Sequence, residues 1–225
     1  MALNHNPGIV LNGLLTYLDA GNPASYTGTT WRNLISTSYN ATLDTAPTFN
    51  SANRGSLVYN GTNSRTTITR MVSTDFSLCC WFKTTSTNGT GTDNWWRGGP
   101  LVDAEIGGAT TDFGLSIGNG RVMLGIGSPD TTIRSPTSLN DGIWHYAVGT
   151  RISSSGAIAL YIDGVSVATG TARTGALTAQ PTIFTGTGYN AANFAGNISI
   201  IQIYDKALTL TEVVQNYNAI KGRYI

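Results

Sequence analysis

The turns constrain this chain most. "IGNGRV", "SSGAIA" and "YIDGVS" place Asn119-Gly120, Ser155-Gly156 and Asp163-Gly164 between runs of apolar and β-branched residues. Asn-Gly and Asp-Gly suit the type I′ turn, whose two central residues both need positive φ. Such a turn joins antiparallel neighbours, whereas parallel strands need a crossover of a dozen residues or more. Residues 112–170 therefore read as successive antiparallel strands, with "FGLSIG", "RVMLGIG", "IWHYAVGTRI", "AIALYID" and "VSVATG" in order. Further strand-like runs are "LLTYLD" (14–19), "SLVYN" (56–60), "FSLCCWFKT" (76–84), "TIFTG" (182–186) and "NISIIQIYD" (197–205). Helical spacing is legible in "TLTEVVQNYNAIKGRYI". There Thr209 and Glu212 form a capping box, Val213, Tyr217 and Ile220 share a face, and Gly222 is the expected C-terminal stop. The pattern predicts an all-β antiparallel jelly-roll sandwich of two sheets with a short C-terminal helix, in one domain spanning 1–225. Trp81, Trp144, Val148, Leu160 and Ile162 are expected in its core.

Composition narrows the partners. Charged residues make up 11% of the chain and the net charge is +1, so there is no basic footprint for nucleic acid, and the arginines are scattered. No run approaches the roughly 20 apolar residues of a membrane-spanning helix, and the start lacks a basic, then apolar, leader. Cys79 and Cys80 are adjacent, so on a strand they point to opposite faces and are poorly placed to bridge each other. Two free thiols fit a reducing cytoplasm. "MALNHNPG" at the start, within residues 1–10, is expected to be an extended arm.

Several residues invite chemistry. "GLSIG" with Ser116, then Asp130 or Asp141, then His145, follows the serine-hydrolase order, but that motif needs a strand, a strained elbow and a helix. Here Asn119-Gly120 and a second strand follow, so the plainer reading is a hairpin and His145 is a hydrogen-bonded strand residue. "LVDAEIGG" sets Asp103 and Glu105 on one face of an extended segment, about 6–7 Å apart along it. That spacing is near what a pair of glycosidase carboxyls needs. Asp103, Glu105, Asp112 and Asp130 are also candidate calcium ligands, being hard oxygen donors near loop ends. No cofactor other than this calcium is expected. The loop "TSTNGTGTDNWWRGGP" (85–100) offers Trp95, Trp96 and Arg97 as a carbohydrate- or partner-binding surface. The alternative is that one or both tryptophans fold back over the sandwich.

"LNDGIWHYAVGTRISSSGAIALYIDGVSVATG", "FSLCCWFK" and "GNISIIQIYDKALTLTEVVQNYNAIKGRY" resemble successive segments of laminin-G-like domains of the concanavalin A-like lectin/glucanase superfamily. "GLLTYLDAGNPASY" extends the resemblance over almost the whole chain. The opening Leu-Asp-Ala-Gly-Asn-Pro and closing Gln-Asn-Tyr-Asn-Ala resemble units of tailed-bacteriophage structural proteins. The resemblance implies a non-enzymatic virion subunit, of capsid-surface, decoration or fibre type. It would be assembled in the host cytoplasm as a homo-oligomer on other virion proteins, and its loops would contact host surface glycans. A carbohydrate-binding module, calcium-dependent or not, is the alternative, and a glycoside hydrolase the third. Jelly-roll glucanases carry a third carboxylate on the same strand, and this sequence lacks it.

Overall fold

The computed structural model describes residues 8–90, 93–108, 110–189 and 192–225. Strands are numbered along the chain. One sheet runs β13 (Val165–Thr171), β12 (Ala157–Ile162), β11 (Trp144–Arg151), β6 (Phe76–Lys83), β15 (Ala195–Tyr204), β4 (Ser56–Asn60), β3 (Thr48–Asn50), and β1 (Leu14–Asp19) also pairs with β15. The other runs β10 (Thr131–Arg134), β9 (Arg121–Ile126), β8 (Phe113–Gly118), β7 (Gly99–Asp103), β14 (Thr182–Thr185), β5 (Arg65–Thr69), β2 (Thr42–Thr45). Every pairing of these strands is antiparallel. This is the two-sheet, all-β sandwich that the turns predict.

The turn chemistry holds in detail. Asn119 and Gly120 have φ of 49° and 75°, and Asp163 and Gly164 have 52° and 83°, all left-handed. The run of strands from 113 to 171 splits between the sheets: β8, β9 and β10 are consecutive in one, β11, β12 and β13 in the other. Strands β2, β3, β5, β7 and β10 escape the sequence pattern. β7 begins "GP" and β5 is threonine-rich, so neither shows an apolar alternation.

The expected single core is in fact two. Cys80, Phe82, Ala147, Leu160 and Ile162 meet Leu115, Leu124 and Ile183 between the sheets. Trp81, Trp144, Tyr146 and Val148 point the other way, into a second apolar layer under the C-terminal helix α1 (Leu210–Ile220). The alternation of β6 and β11 is thus apolar on both faces, which explains why Cys79 and Cys80 are both buried and free. Trp81 stacks on Tyr146, Tyr217 and Tyr224 with ring centroids 5.1, 5.6 and 4.5 Å apart, joining sheet, helix and C-terminal segment.

The helix starts as predicted. Thr209 Oγ1 accepts from the Glu212 N–H, and the Glu212 carboxylate accepts from the Thr209 N–H. Its end differs. Gly222 does not adopt a left-handed φ; the chain tightens into a 3₁₀ turn over Lys221–Arg223 instead. That turn brings Arg223 onto Asp19, with Nη1 at 2.8 and 2.9 Å from the two carboxylate oxygens.

The expected N-terminal arm lies outside the described residues for positions 1–7. Residues Gly8 and Val10 are held to the C-terminal helix and β15. Asn216 accepts from the Val10 N–H at 2.8 Å, Tyr204 Oη donates to the Val10 carbonyl at 3.0 Å, and Gln215 Nε2 donates to the Gly8 carbonyl at 2.8 Å. Among the described residues no helix is long and apolar enough to cross a membrane.

Candidate functional site

The outward face of the seven-stranded sheet carries an unusual gap. Phe113, Leu115 and Ile117 of β8 point into the core, so Gly114 and Ser116 face outward. Gly114 pairs directly with Gly125 of β9, leaving a bare slot in the sheet. Trp95, from the loop that precedes β7, fills it. Trp95 is fully buried there, so close that a Cβ built on Gly125 would stand 1.7 Å from the indole Cγ. Ser116 Oγ donates to the Trp95 carbonyl at 2.6 Å, pinning the loop from below.

The same loop is anchored at its root. Asn88, left-handed at φ 53° and buried, donates to Thr84 Oγ1 and the Ser86 carbonyl and accepts from the Ala195 N–H at 2.6 Å. Asp93 pairs with Arg134 on β10. A single 3₁₀ turn (Trp95–Arg97) then turns the chain so that Trp95 enters the slot while Trp96 stays half-buried and Arg97 exposed. The Arg97 guanidinium lies over the Trp96 ring, 4.6 Å from its centroid. Trp95 thus folds back over the sandwich, whereas Trp96 stays at the surface.

Beside this turn is a pocket of about 350 Å³, lined by Trp95, Trp96, Glu105, Gly107, Gly108, Asp112 and Asp130. Its size is at the lower end for small-molecule sites. Three of the four predicted acidic residues converge here, and Asp103 does not. Strand β7 ends at Asp103, and the expected extended segment stops there: the Glu105 N–H turns back to donate to Asp103 Oδ1 at 2.8 Å. Asp103 is sealed against Gly114, and burial pushes its carboxyl well above the usual range, with the nearby Glu105 and Asp112 charges adding to that. The proposed pair is thus one pocket-lining carboxylate and one buried carboxyl behind it. Asp112 accepts from the Ile106 N–H at 3.1 Å and is itself raised, chiefly by burial. Among the described residues no group of three His, Cys, Asp or Glu side chains is arranged to hold a metal ion.

The hydrolase-like order has no spatial counterpart. Ser116 is committed to Trp95 on one sheet, and His145 stands on β11 in the other. His145 Nδ1 is 2.8 Å from Asp163 Oδ2, and Nε2 is 3.2 Å from Asp141 Oδ1. Burial alone would lower its pKa, but the two carboxylates outweigh it and hold it above the ordinary value. His145 ties the Asp163-Gly164 turn to the entry of β11, a structural clamp.

A family model described as the concanavalin A-like lectin/glucanases superfamily matches residues 60–214. No curated protein sequence matches the chain. Among solved structures, the chain is similar to domain 4 of AbnA, an extracellular GH43 arabinanase from Geobacillus stearothermophilus in complex with arabinotriose. That match has TM-score 0.67 and 20% identity, over 91% of this chain and 98% of that one. The binding domain of Paraclostridial Mosquitocidal Protein 1 gives TM-score 0.69 and 15% identity, over 92% of this chain and 52% of that one. The receptor binding domain of botulinum neurotoxin type G gives 0.65 and 18%, over 92% and 51%. The chain thus spans about half the length of the two toxin domains, and at these identities the likeness is one of fold.

Proposed function

The chain belongs to the concanavalin A-like lectin/glucanase superfamily, and we propose that it is a non-catalytic carbohydrate-binding domain whose site is the pocket beside Trp96. One observation carries this reading: a half-exposed indole, braced by Arg97, borders the same pocket as Glu105, Asp112 and Asp130. A sugar ring presents an apolar C–H face and a rim of hydroxyls. The first suits an aromatic face and the second suits carboxylate acceptors, which form charge-assisted hydrogen bonds. Gly108, where a Cβ would meet nothing nearer than 3.9 Å, lets a ring approach the backbone closely. The likeness to an arabinanase domain complexed with arabinotriose supports glycan recognition, and the likeness to toxin binding domains supports a binding role.

The non-catalytic reading is supported by the fate of Asp103. Glycoside hydrolysis needs two carboxyl groups flanking the bond, and of the proposed pair only Glu105 borders the pocket. The test is a titration of tryptophan fluorescence with a panel of neutral oligosaccharides that includes arabinotriose. Saturable quenching that is lost in Trp96→Ala, with no reducing-end release, is the expected result. Release that vanishes in Glu105→Gln would replace this reading with hydrolysis.

The setting is a further proposal, supported by the resemblance of the opening and closing motifs to tailed-phage structural modules. In it the chain is a homo-oligomeric subunit on the virion surface, bound to other virion proteins, and the Trp96 pocket faces host glycans. Co-sedimentation with particles tests it, and a chain that stays in the supernatant sinks it.

A further inference from the structure

On the far side of the molecule from the loop pocket's sheet lies a second groove. Tyr17 and Asp19 of β1, the 20–23 loop, the turn at Asn53–Arg54 and the end of the C-terminal helix enclose about 590 Å³. A neighbouring hollow of about 350 Å³, bordered by Tyr26 and Phe49, shares Gly21, Pro23 and Arg54 with it. The two hollows adjoin along Gly21, Pro23 and Arg54, so Arg54 borders both.

The groove is built rather than incidental. Asn53 and Arg54 are consecutive non-glycine residues in the left-handed region, at φ 54° and 68°. Such strain persists only where the surroundings impose it. Here they do: Asn53 Nδ2 donates to the Arg223 carbonyl at 3.0 Å, and Asn53 Oδ1 accepts from Trp144 Nε1 at 3.2 Å. The turn is clamped to the C-terminal segment, and Arg54 is held at the groove. Arg223 lies so close to Gly21 that a Cβ there would meet Nη2 at 2.1 Å.

The charge in this groove is one-sided. Three cations, Arg54, Lys221 and Arg223, line it with one carboxylate, Asp19. Arg223 is spent on Asp19. Arg54 is exposed and, among the described residues, has no hydrogen-bond, ion-pair or ring partner. Lys221 only overlies Tyr217, at 5.3 Å. In a chain of net charge +1, two uncompensated cations on one cavity are a local excess. At the other end Tyr26 and Phe49 stack, centroids 5.2 Å apart and 16° from parallel, and Phe49 is 47% exposed.

We infer that this groove is a second ligand site, for an acidic saccharide. The Arg54 guanidinium meets a carboxylate or sulfate in a forked, charge-assisted pair, with Lys221 as a second cation. The Phe49–Tyr26 face takes the apolar side of an adjoining sugar ring. The site does not depend on the Trp96 pocket.

Calorimetric titration of the whole chain tests it with two matched pairs: sialyllactose against lactose, and a sulfated chondroitin tetrasaccharide against its desulfated form. These separate carboxylate from sulfate as the anion. Arg54→Gly is the informative variant, because glycine is at ease at φ 68° and the fold is spared. The expected result is a charged ligand binding at least tenfold tighter than its uncharged parent, weakened at least fivefold in Arg54→Gly, and unaffected by Trp96→Ala. The inference is overturned if neither charged ligand outbinds its parent, if Arg54→Gly shifts Kd by less than twofold, or if Trp96→Ala abolishes the binding.

Discussion

Gly125→Ala is the sharpest probe of how the loop pocket is built. Gly125 has no left-handed φ, so alanine meets no backbone strain there and, within a strand, is intrinsically preferred to glycine. The severest collision is with Trp95: the new methyl would stand 1.7, 1.9 and 2.1 Å from three atoms of the indole, which are its three nearest neighbours. No rotamer adjustment absorbs that, so the indole must leave its slot. A buried aromatic side chain removes about 150–250 Å² from water. At about 25 cal/mol per Å² this is worth roughly 4–6 kcal/mol, and truncating a buried Phe or Trp costs about 3–5 kcal/mol in practice. Gly125→Ala is therefore expected to destabilise by about 3–5 kcal/mol in urea unfolding followed by far-UV circular dichroism. The decisive arm is the double variant. With Trp95→Ala the obstacle is gone, so adding Gly125→Ala should change stability by no more than about 0.5 kcal/mol. A single Gly125→Ala within about 1 kcal/mol of wild type, or two additive losses, would refute this account of the slot.

Three further outcomes follow from the same structure. Thr209→Ala removes the side-chain half of the helix capping box and should cost about 1 kcal/mol in urea unfolding; no loss would mean the α1 start is held by packing alone. His145, raised by Asp163 and Asp141 against the burial that lowers it, stabilises the fold fully below its unfolded value of about 6.5 and loses that contribution as pH rises through the higher folded value. The stability gap between wild type and His145→Gln should accordingly be wide at acidic pH and narrow at alkaline pH, and a pH-independent gap would contradict the clamp. Burial pushes the Cys79 thiol up to about 12 and Cys80 well above its ordinary range, so neither should react with a thiol reagent until the chain unfolds, when both should; a fast native thiol would be inconsistent with the two-core arrangement.

What the sequence reveals and conceals follows physical lines. Asn119-Gly120 and Asp163-Gly164 announce their hairpins because a type I′ turn needs those residue types in sequence, and Thr209 and Glu212 announce the helix for the same local reason. Strand β7 is silent because its signals are a glycine, a proline and a short apolar stretch. The two faces of β6 and β11 are apolar in both directions, so alternation could not say which face meets the other sheet and which meets the helix. For the site, Trp95, Trp96, Glu105, Asp112 and Asp130 are visible as residue types, but their convergence depends on a slot made by Gly114 and Gly125 across two strands, which only strand register creates. Asp103 looks equivalent to Glu105 in the sequence and is separated from it by the turn that closes on its own carboxylate. The Arg54 groove leaves still less trace, since residues near 20, 50 and 220 meet there. Its one local signal is Asn53-Arg54-Gly55, a turn sequence just before the "SLVYN" strand, and nothing local ties it to the segments near 20 and 220.

The central claim is that the Trp96 pocket receives a neutral sugar ring. The most direct measurement is an amide and indole NMR titration of the isotopically labelled chain with the oligosaccharide that quenches its fluorescence. Shifts are expected on the Trp96 indole, Glu105, Gly107, Gly108 and Asp112, with Arg54 and Phe49 unmoved. Shifts centred anywhere other than this pocket, or none at saturating sugar, would contradict it.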